Sequence, residues 1–308
     1  MASNILVITP TYNERENLPE LVRRVLSLKV RPDLLIVDDN SPDGTGELAE
    51  ELSWKNGRLH VLHRKMKDGL GRAYIAGFQW ALTHNYEFIL EMDGDFSHNP
   101  DDIPRFVEMA KDHDLVIGSR YSNGIRIINW PLSRLMLSKG AATYVRMITG
   151  MPISDPTGGF KCFRRRALES LDLEEVRSNG YSFQIELTHK IWCQGMKVGE
   201  VPIIFTEREF GKSKMSGNIV WEAIWMVWRL FFQNGMRRKP TATKAPPPPA
   251  TPSSKPRRRR RRSGPPMFPE KETSNAGGKE PTGRKSPSNR RRPRTRPKQD
   301  ASAKKKES

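Results

Sequence analysis

Short apolar runs alternate with amphipathic segments through the first hundred residues, and this alternation restricts the possible folds more than any other feature. These runs predict strands buried on both faces of a sheet at Asn4–Thr9 and Leu34–Val37, a buried strand at Phe88–Leu90 and a further strand at Leu59–Leu62. Apolar residues at helical spacing separate them, as in Asn17–Leu28. Strands that alternate with helices predict an α/β fold with a mostly parallel sheet flanked by helices.

Polar, acidic or glycine-containing loops follow three of these predicted strands: Thr9–Glu14, Asp38–Thr45 and Asp93–His98. The carboxyl ends of parallel strands lie at one edge of a sheet, so the three loops predict a crevice with an acidic floor. Aspartates at such strand ends can accept hydrogen bonds from ribose hydroxyls or from a base N–H. Capping of the next helix is the alternative role for Asp38 and Asp39.

The third loop begins with two aspartates separated by one glycine, Asp93-Gly94-Asp95. In an extended chain both carboxylates point the same way, and the glycine allows a ligand to approach the backbone. Two oxygen ligands of this kind suit Mg²⁺ or Mn²⁺, which commonly share their coordination with substrate phosphates. An isolated Asp-Gly-Asp is also typical of a solvated turn. The two neighbouring polar loops favour the ligand site.

The second half of the chain contributes basic residues rather than carboxylates. The patterns there predict strands over Leu115–Gly118 and Val198–Phe205 and a helix over Phe183–Cys193. Loops and helices near these elements carry the candidate cations Arg120, Arg134, Arg208 and Lys214. Carboxylates from one half and cations from the other suit a nucleotide-sugar enzyme that must also hold a second anion.

The net charge of +18 belongs to the C-terminal part of the chain. Residues 236–308 hold 24 of the 53 Lys and Arg residues and 5 of the 35 Asp and Glu residues, a net charge of +19. The preceding 235 residues therefore carry 29 basic and 30 acidic residues, enough chain for one sizeable domain. Dense like charge, much proline and few apolar residues predict that 237–308 is a disordered tail.

Composition also narrows the class of protein. The two cysteines, Cys162 and Cys193, lack metal-ligand spacing and indicate a reduced, cytosolic setting. The N-terminus is not typical of a signal peptide, and no run of about 20 apolar residues predicts a spanning helix. A nucleic-acid-binding protein is the alternative that the basic tail suggests. The nearly neutral body argues against it, so no nucleic-acid partner is expected.

Six motifs occur in a fixed order along the chain: Pro10–Glu14, Val37–Thr45, Gly69–Gly71, Asp93–Pro100, Gly118–Tyr121 and Asp155–Phe160. Together they resemble the family 2 glycosyltransferases and, most closely, the polyprenol-phosphate (dolichol-phosphate) mannose synthases. The resemblance extends from about Ile5 to Gly235 and leaves the basic tail without a counterpart. It implies a GT-A-type, Rossmann-like fold and inverting, metal-dependent transfer of mannose from GDP-mannose to a polyprenyl phosphate. Transfer of another sugar, such as glucose, is the alternative within the same fold.

The resemblance also implies roles for individual residues. Nucleotide-sugar binding falls to Pro10, Tyr12, Glu14, Val37, Asp39, Asp93, Gly94, Asp95, Arg120, Gln184, Arg208 and Lys214. The residues that match catalytic positions are Asp95, Arg120, Arg134 and Arg208. Mg²⁺ or Mn²⁺ would be held by Asp93, Asp95 and Ser97. Two positions differ from some family members, which have Gln in place of Ser97 and Lys in place of Gln184.

A polyprenyl acceptor lies in a membrane, and residues 219–236 are rich in aromatic residues interrupted by Glu222 and Arg229. This pattern predicts an amphipathic helix, over about 216–236, that lies in the membrane interface; packing on the domain is the alternative. The expected organisation is thus a catalytic domain over 1–236, ending in this helix, and the tail over 237–308. We expect peripheral attachment to the cytoplasmic leaflet, with a separate membrane protein as a further partner.

Overall fold

The computed structural model describes residues 3–128, 130–176, 178, 180–206 and 225–232. The strands are β1 (Ile5–Thr11), β2 (Asp33–Asp38), β3 (Leu59–His63), β4 (Phe88–Glu91), β5 (Leu115–Ser119), β6 (Ile127–Ile128), β7 (Lys161–Arg164), β8 (Val198–Pro202) and β9 (Phe205–Thr206). The helices are α1 (Leu18–Leu26), α2 (Thr45–Lys55), α3 (Leu70–Leu82), α4 (Ile103–Ala110), α5 (Leu132–Thr149), α6 (Arg165–Glu169) and α7 (Gly180–Cys193). Residues 225–232 are also helical.

Seven of the strands form one sheet in the order β3-β2-β1-β4-β7-β5-β8. Strand β7 pairs antiparallel with β4 and β5, and the other pairings in this sheet are parallel. Three of the apolar runs near the N-terminus form β1, β2 and β4, which lie inside the sheet and are almost entirely buried, as the sequence predicts. The fourth run forms β3, an edge strand that is only partly buried. The mostly parallel α/β fold is therefore confirmed. Because β2, β1 and β4 are neighbours, their three following loops meet at one edge.

Helices cover both faces of this sheet, and each face has its own hydrophobic core. On one face, Leu21 of α1, Ala49 of α2 and Phe106 of α4 pack against the sheet. On the other face, the core includes Phe78 of α3 and Phe183 of α7, together with side chains of α5, α6 and residues 225–232. Parallel strands buried between two helical layers explain the near-continuous apolar runs in the sequence.

One predicted strand, Val198–Phe205, is two strands in the structure. Strand β8 ends at Pro202, and β9 pairs with β6 in a separate two-stranded sheet. The sequence prediction of one continuous strand was wrong here. The Ile203 N–H still donates to the Ser119 carbonyl oxygen at 3.1 Å, but β5 ends at Ser119 and offers no further pairing to the residues that follow. The break directs Phe205 away from the large sheet and toward the aromatic residues described below.

The structure describes only part of the C-terminal region for which a helix and a disordered tail are predicted. Helical residues 225–232 fall within the predicted amphipathic segment, while the remainder of 216–236 and the whole of 237–308 lie outside the described residues. The chain divides into two units, Met1–Pro247 and Pro248–Ser308, and every described residue belongs to the first. Within the described ranges, the helices are too short or too polar to cross a membrane.

Alanine substitutions at two helical glycines would test how tightly α3 packs on the sheet. A Cβ on Gly77 of α3 would lie 2.6 Å from Cγ2 of Ile8 in β1, whereas one on Gly140 of α5 would meet nothing within 4 Å. We expect Gly77→Ala to destabilise the protein by about 1–3 kcal/mol through overpacking. Gly140→Ala should stabilise it by up to about 1 kcal/mol, because alanine favours helix. Urea unfolding of both variants measures this, and stabilisation by both would contradict the packing described.

Candidate active site

Backbone hydrogen bonds join the three loops at the edge of the sheet. The Asp39 N–H donates to the Thr11 carbonyl oxygen at 3.1 Å, which extends the β1–β2 pairing into the second loop. On the other side of β1, the Met92 N–H donates to the Ile8 carbonyl oxygen at 3.1 Å. The loop after β1 is thereby held between the Asp39 loop and the Asp93 loop. The three loops predicted to lie at one edge of the sheet are therefore neighbours in the fold.

The first loop brings the residues predicted to bind a nucleotide to this edge. Tyr12 exposes 36% of its surface, and Nζ of Lys67 lies 3.4 Å from the centroid of its ring. Pro10 is half-buried. The Glu14 carboxylate accepts a hydrogen bond from Nδ2 of Asn17 at 2.8 Å. Val37, in contrast, is fully buried in the core, so its side chain has no opening to the crevice.

The two aspartates after β2 have different surroundings. Asp38 is buried and accepts hydrogen bonds from Oγ1 of Thr11 at 3.1 Å and Oγ of Ser41 at 2.6 Å, so it braces the loop. Asp43, rather than Asp38 or Asp39, accepts from the Thr45 N–H at the start of α2. The capping alternative is thus wrong for Asp38 and Asp39.

Asp39 forms an ion pair with a residue that the sequence patterns do not single out, Arg64. Burial raises the pKa of the Asp39 carboxyl above its ordinary value, and the charges of Arg64 and Lys67 oppose this rise. Arg64 directly follows β3, and its backbone N–H donates to the Asp38 carbonyl oxygen at 2.8 Å. Strand pairing therefore places a cation beside Asp39.

The Asp-Gly-Asp segment forms a tight turn with its own internal hydrogen bonds. Oδ1 of Asp93 accepts from the Tyr74 hydroxyl at 3.1 Å, and the Asp93 N–H donates to Nδ1 of His98 at 3.1 Å. Oδ1 of Asp95 accepts from the Ser97 N–H at 3.1 Å. Phe96 has a φ of 59°, a left-handed conformation that is strained for an aromatic residue and occurs most often at functional sites.

The donor set of this turn fits a metal ion shared with a ligand. Asp93 and Asp95 supply carboxylate oxygens, and Ser97 adds a buried hydroxyl. The described residues contain no group of three or more His, Cys, Asp or Glu side chains suited to a metal. A dedicated protein cage is therefore absent from this part of the chain. Mg²⁺ commonly binds through only one or two carboxylates and completes its coordination with substrate phosphates.

On the cationic side, Arg120 is held by a residue that the sequence analysis did not assign, Asp155. Nε and Nη2 of Arg120 each donate to the Asp155 carboxylate at 2.7 Å, and Nη2 also donates to Oγ1 of Thr157 at 2.7 Å. Burial alone would lower the pKa of Arg120, but the charge of Asp155 holds it above its ordinary value. The Arg120 side chain is therefore a fixed, permanently charged group.

A tryptophan connects Arg120 with Arg134, a second predicted cation. The Arg134 guanidinium carbon lies 4.2 Å from the centroid of the Trp130 ring, and that of Arg120 lies 5.7 Å from the same centroid. Phe205 packs edge-on against Trp130, with 5.4 Å between ring centroids. The structure thus brings these two arginines together. The other predicted cations, Arg208 and Lys214, lie outside the described residues.

A buried polar cluster beneath the Asp-Gly-Asp turn was also not predicted. Lys161 is fully buried, and its Nζ donates to the backbone oxygen of Gln184 at 2.7 Å and to Oε1 of Gln184 at 2.5 Å. Glu91, which pairs with Lys161 across β4 and β7, has no hydrogen-bond partner for either carboxylate oxygen among the described residues. Burial raises the pKa of Glu91 to about 8 and lowers that of Lys161 to about 8. The feature of the sequence that could have revealed this cluster is a charged residue inside an apolar run.

Comparison with known proteins identifies the family of this chain. Residues 6–172, more than half of the chain, match the family described as Glycosyl transferase family 2. The chain belongs to this family and is a glycosyltransferase.

The curated relatives of the chain include two bacterial enzymes. The polyprenol monophosphomannose synthase of Mycolicibacterium smegmatis is 51% identical over 72% of this chain and 84% of its own length. The undecaprenyl-phosphate mannosyltransferase of Micrococcus luteus is 46% identical over 71% of this chain and 90% of its own length.

Among solved structures, glucosyl-3-phosphoglycerate synthase from Mycobacterium tuberculosis superposes with a TM-score of 0.52 at 17% identity. The match covers 75% of this chain and 80% of that one. It supports the GT-A-type fold.

The Arg120–Asp155 pair leads to a stability prediction. Asp155→Asn would leave the Arg120 cation buried without its counter-charge, so we expect a loss of about 3–5 kcal/mol in the free energy of unfolding. The exposed Glu20–Arg23 pair of α1 is the matched control, and Glu20→Gln should cause no measurable change. Urea unfolding measures both. A loss no larger than that of the control would show that Asp155 does not compensate Arg120.

Proposed function

We propose that this glycosyltransferase transfers mannose from GDP-mannose to a polyprenyl phosphate, with inversion, and releases GDP. The arrangement of the strand ends carries the proposal: the loops with Asp39, Asp93 and Asp95 and the loop that begins with Arg120 follow strands that end at one edge of the sheet. Arg134 joins Arg120 there through Trp130. The choice of mannose and of a polyprenyl phosphate is supported by two relatives, a polyprenol monophosphomannose synthase and an undecaprenyl-phosphate mannosyltransferase, that are 46–51% identical over most of their length.

The nucleotide lies, in this proposal, against the loops that follow β1 and β2. Tyr12 offers an exposed aromatic face, and Asp39 offers an acceptor for N–H or O–H groups of the nucleoside. Pro10 and Glu14 complete the edge, while Val37 contributes through its backbone. Aromatic stacking with a carboxylate at its rim suits a base and a ribose.

The diphosphate of the donor lies at the Asp-Gly-Asp turn. Asp93, Asp95 and Ser97 would hold Mg²⁺ or Mn²⁺ there, and the bound ion would neutralise charge on the leaving nucleoside diphosphate. Gly94 allows the diphosphate to approach the backbone closely. The Tyr74 hydroxyl and the His98 ring keep Asp93 in place through the hydrogen bonds described above.

The acceptor phosphate approaches from the cationic side. A phosphate monoester has its second pKa near ~6 and is largely dianionic at neutral pH, so it needs no strong general base. It must instead be brought beside another phosphate against charge repulsion. Arg120, fixed by Asp155, and Arg134, stacked on Trp130, supply positive charge for this purpose. The donor and the acceptor phosphate are also proposed to be bound by Arg208, Lys214 and Gln184. Attack at the anomeric carbon from the face opposite GDP inverts the sugar.

Exposed apolar side chains support a lipid acceptor. On α5, which contains Arg134 in its first turn, Leu132, Met136 and Met147 are 69%, 67% and 73% exposed and recur at helical spacing along one face. In residues 225–232, Trp225 and Phe232 are similarly exposed. Amphipathic helices of this kind bind in membrane interfaces. We therefore propose peripheral attachment to the cytoplasmic leaflet, aided by the basic tail and a separate membrane protein.

Activity of an Asp95 variant tests the metal site. Asp95→Asn should reduce transfer from labelled GDP-mannose to extracted polyprenyl phosphate by at least about a hundredfold, because one of two carboxylate ligands is lost. Asp101→Asn, which alters an exposed carboxylate paired with Arg24, should leave the rate unchanged. A chelator should inactivate the wild type, and added Mg²⁺ or Mn²⁺ should restore it. Near-normal turnover by Asp95→Asn at saturating metal would refute the assignment.

The apolar face of α5 gives a second functional prediction. We expect the double variant Leu132→Ser, Met136→Ser to weaken sedimentation with phospholipid vesicles and to raise KM for a long-chain acceptor, because buried apolar area contributes to interfacial binding. Turnover of a short-chain, detergent-soluble acceptor should change little. Trp54→Ser, at an 81% exposed position on α2, is the control and should sediment like the wild type. Unchanged vesicle binding by the double variant would exclude α5 from the membrane contact.

A further inference from the structure

The ion pair between Arg64 and Asp39 lies at the edge of the sheet where β2 and β3 end. Asp39 belongs to the loop after β2, and Arg64 begins the loop after β3, so both occupy the carboxyl edge of the sheet. The backbone bond from Arg64 to Asp38 fixes their separation. The Arg64 side chain is 16% exposed and that of Asp39 is 6% exposed. The pair is thus part of the crevice wall rather than a mobile surface contact.

The two charged groups retain further hydrogen-bonding capacity. Nη1 of Arg64 donates to Oδ1 of Asp39. Within the described ranges, neither Oδ2 of Asp39 nor Nη2 of Arg64 has another hydrogen-bond partner. The Asp39 backbone is bonded to Thr11, directly before Tyr12, whose ring is exposed. An aromatic face therefore lies next to an edge that offers one acceptor group and one cationic donor group.

This edge complements guanine better than adenine. Guanine presents the O6 acceptor beside the N1–H and N2–H donors, and Arg is the side chain most often used to bind O6. Adenine presents an amino group in place of O6, which would direct N–H groups at the Arg64 guanidinium. We infer that Arg64 is a specificity-determining residue that donates to O6 of guanine while Asp39 accepts from N1–H and N2–H. This inference rests on the proposed GDP-mannose donor.

Arg64 has a second effect that a test must separate from base recognition. Its charge, with that of Lys67, opposes the rise that burial causes in the pKa of Asp39. Loss of Arg64 would thus weaken the binding of any base that donates to Asp39, as well as removing the contact to O6. Arg64→Lys separates the two effects when it is compared with Arg64→Met, because lysine keeps a positive charge beside Asp39 but lacks the planar guanidinium that is inferred to bind O6.

The experiment is calorimetric titration of GDP, IDP and ADP, with Mg²⁺ present, into the purified full chain and its variants. In wild type we expect GDP to bind more tightly than IDP, which lacks the N2 amino group, and IDP more tightly than ADP. Arg64→Met should lower the affinities for GDP and IDP by about tenfold relative to ADP. Asp39→Asn should reduce the preference for GDP over IDP. Arg64→Lys, which keeps the charge without the planar fork, should recover only part of the preference for GDP.

Arg23→Met, at an exposed ion pair on α1, is the matched control and should bind all three nucleotides like the wild type. Equal losses for GDP and ADP in both Arg64→Met and Arg64→Lys would overturn the inference and limit Arg64 to neutralising Asp39. A wild-type protein without a preference for GDP over ADP would instead refute the proposed donor. A preference that survives both Arg64 variants would refute the role of Arg64 and leave the donor intact.

Discussion

The site depends on the pairing of β1 with β2 on one side and with β4 on the other. Thr11 lies opposite Asp38, so β1 and β2 end at the same level, and β4 ends at Glu91 opposite Ile8, three residues earlier along β1. The loops that follow all three strands begin at the same edge of the sheet. The side chains of these strands are buried on both faces, and a one-residue slip would exchange the two faces of a strand. Core packing therefore fixes the register, and the register places the crevice loops. Contacts among the loops themselves are secondary.

Buried charge is concentrated at this same end of the sheet. Arg120 with Asp155, and Arg64 with Asp39, form ion pairs, and Lys161 lies opposite Glu91. Removing charged groups from water is unfavourable, and a buried pair often contributes little net stability. These buried pairs instead benefit ligand binding, because they hold charges of both signs in fixed positions along one edge of the sheet. The proposed donor, which has a nucleoside, a sugar and a diphosphate, requires such a surface, and so does the proposed anionic acceptor.

The central strands and the Asp-Gly-Asp turn could be predicted because their signals are local. A strand buried on both faces produces a continuous apolar run, and two carboxylates at its end form a recognisable motif. Asp155, Arg64 and Lys161 could not be assigned in this way. Each acts on a residue 23 or more positions away in the sequence, as Lys161 does on Gln184 and Arg64 does on Asp39. The break between β8 and β9 was missed because a single proline does not reveal which sheet receives the next residues.

The sequence by itself determined the α/β fold, the acidic strand ends and the family of the enzyme. These properties follow from periodicity and from short motifs, which a linear chain displays directly. Only the tertiary structure decided which charges are paired: Arg120 with Asp155, and Asp39 with Arg64. It also decided that Asp38 braces a loop while Asp39 lies against a cation. The reason is physical, because charge pairing depends on distance and burial in space, and both arise only when strands distant in sequence become neighbours in the sheet.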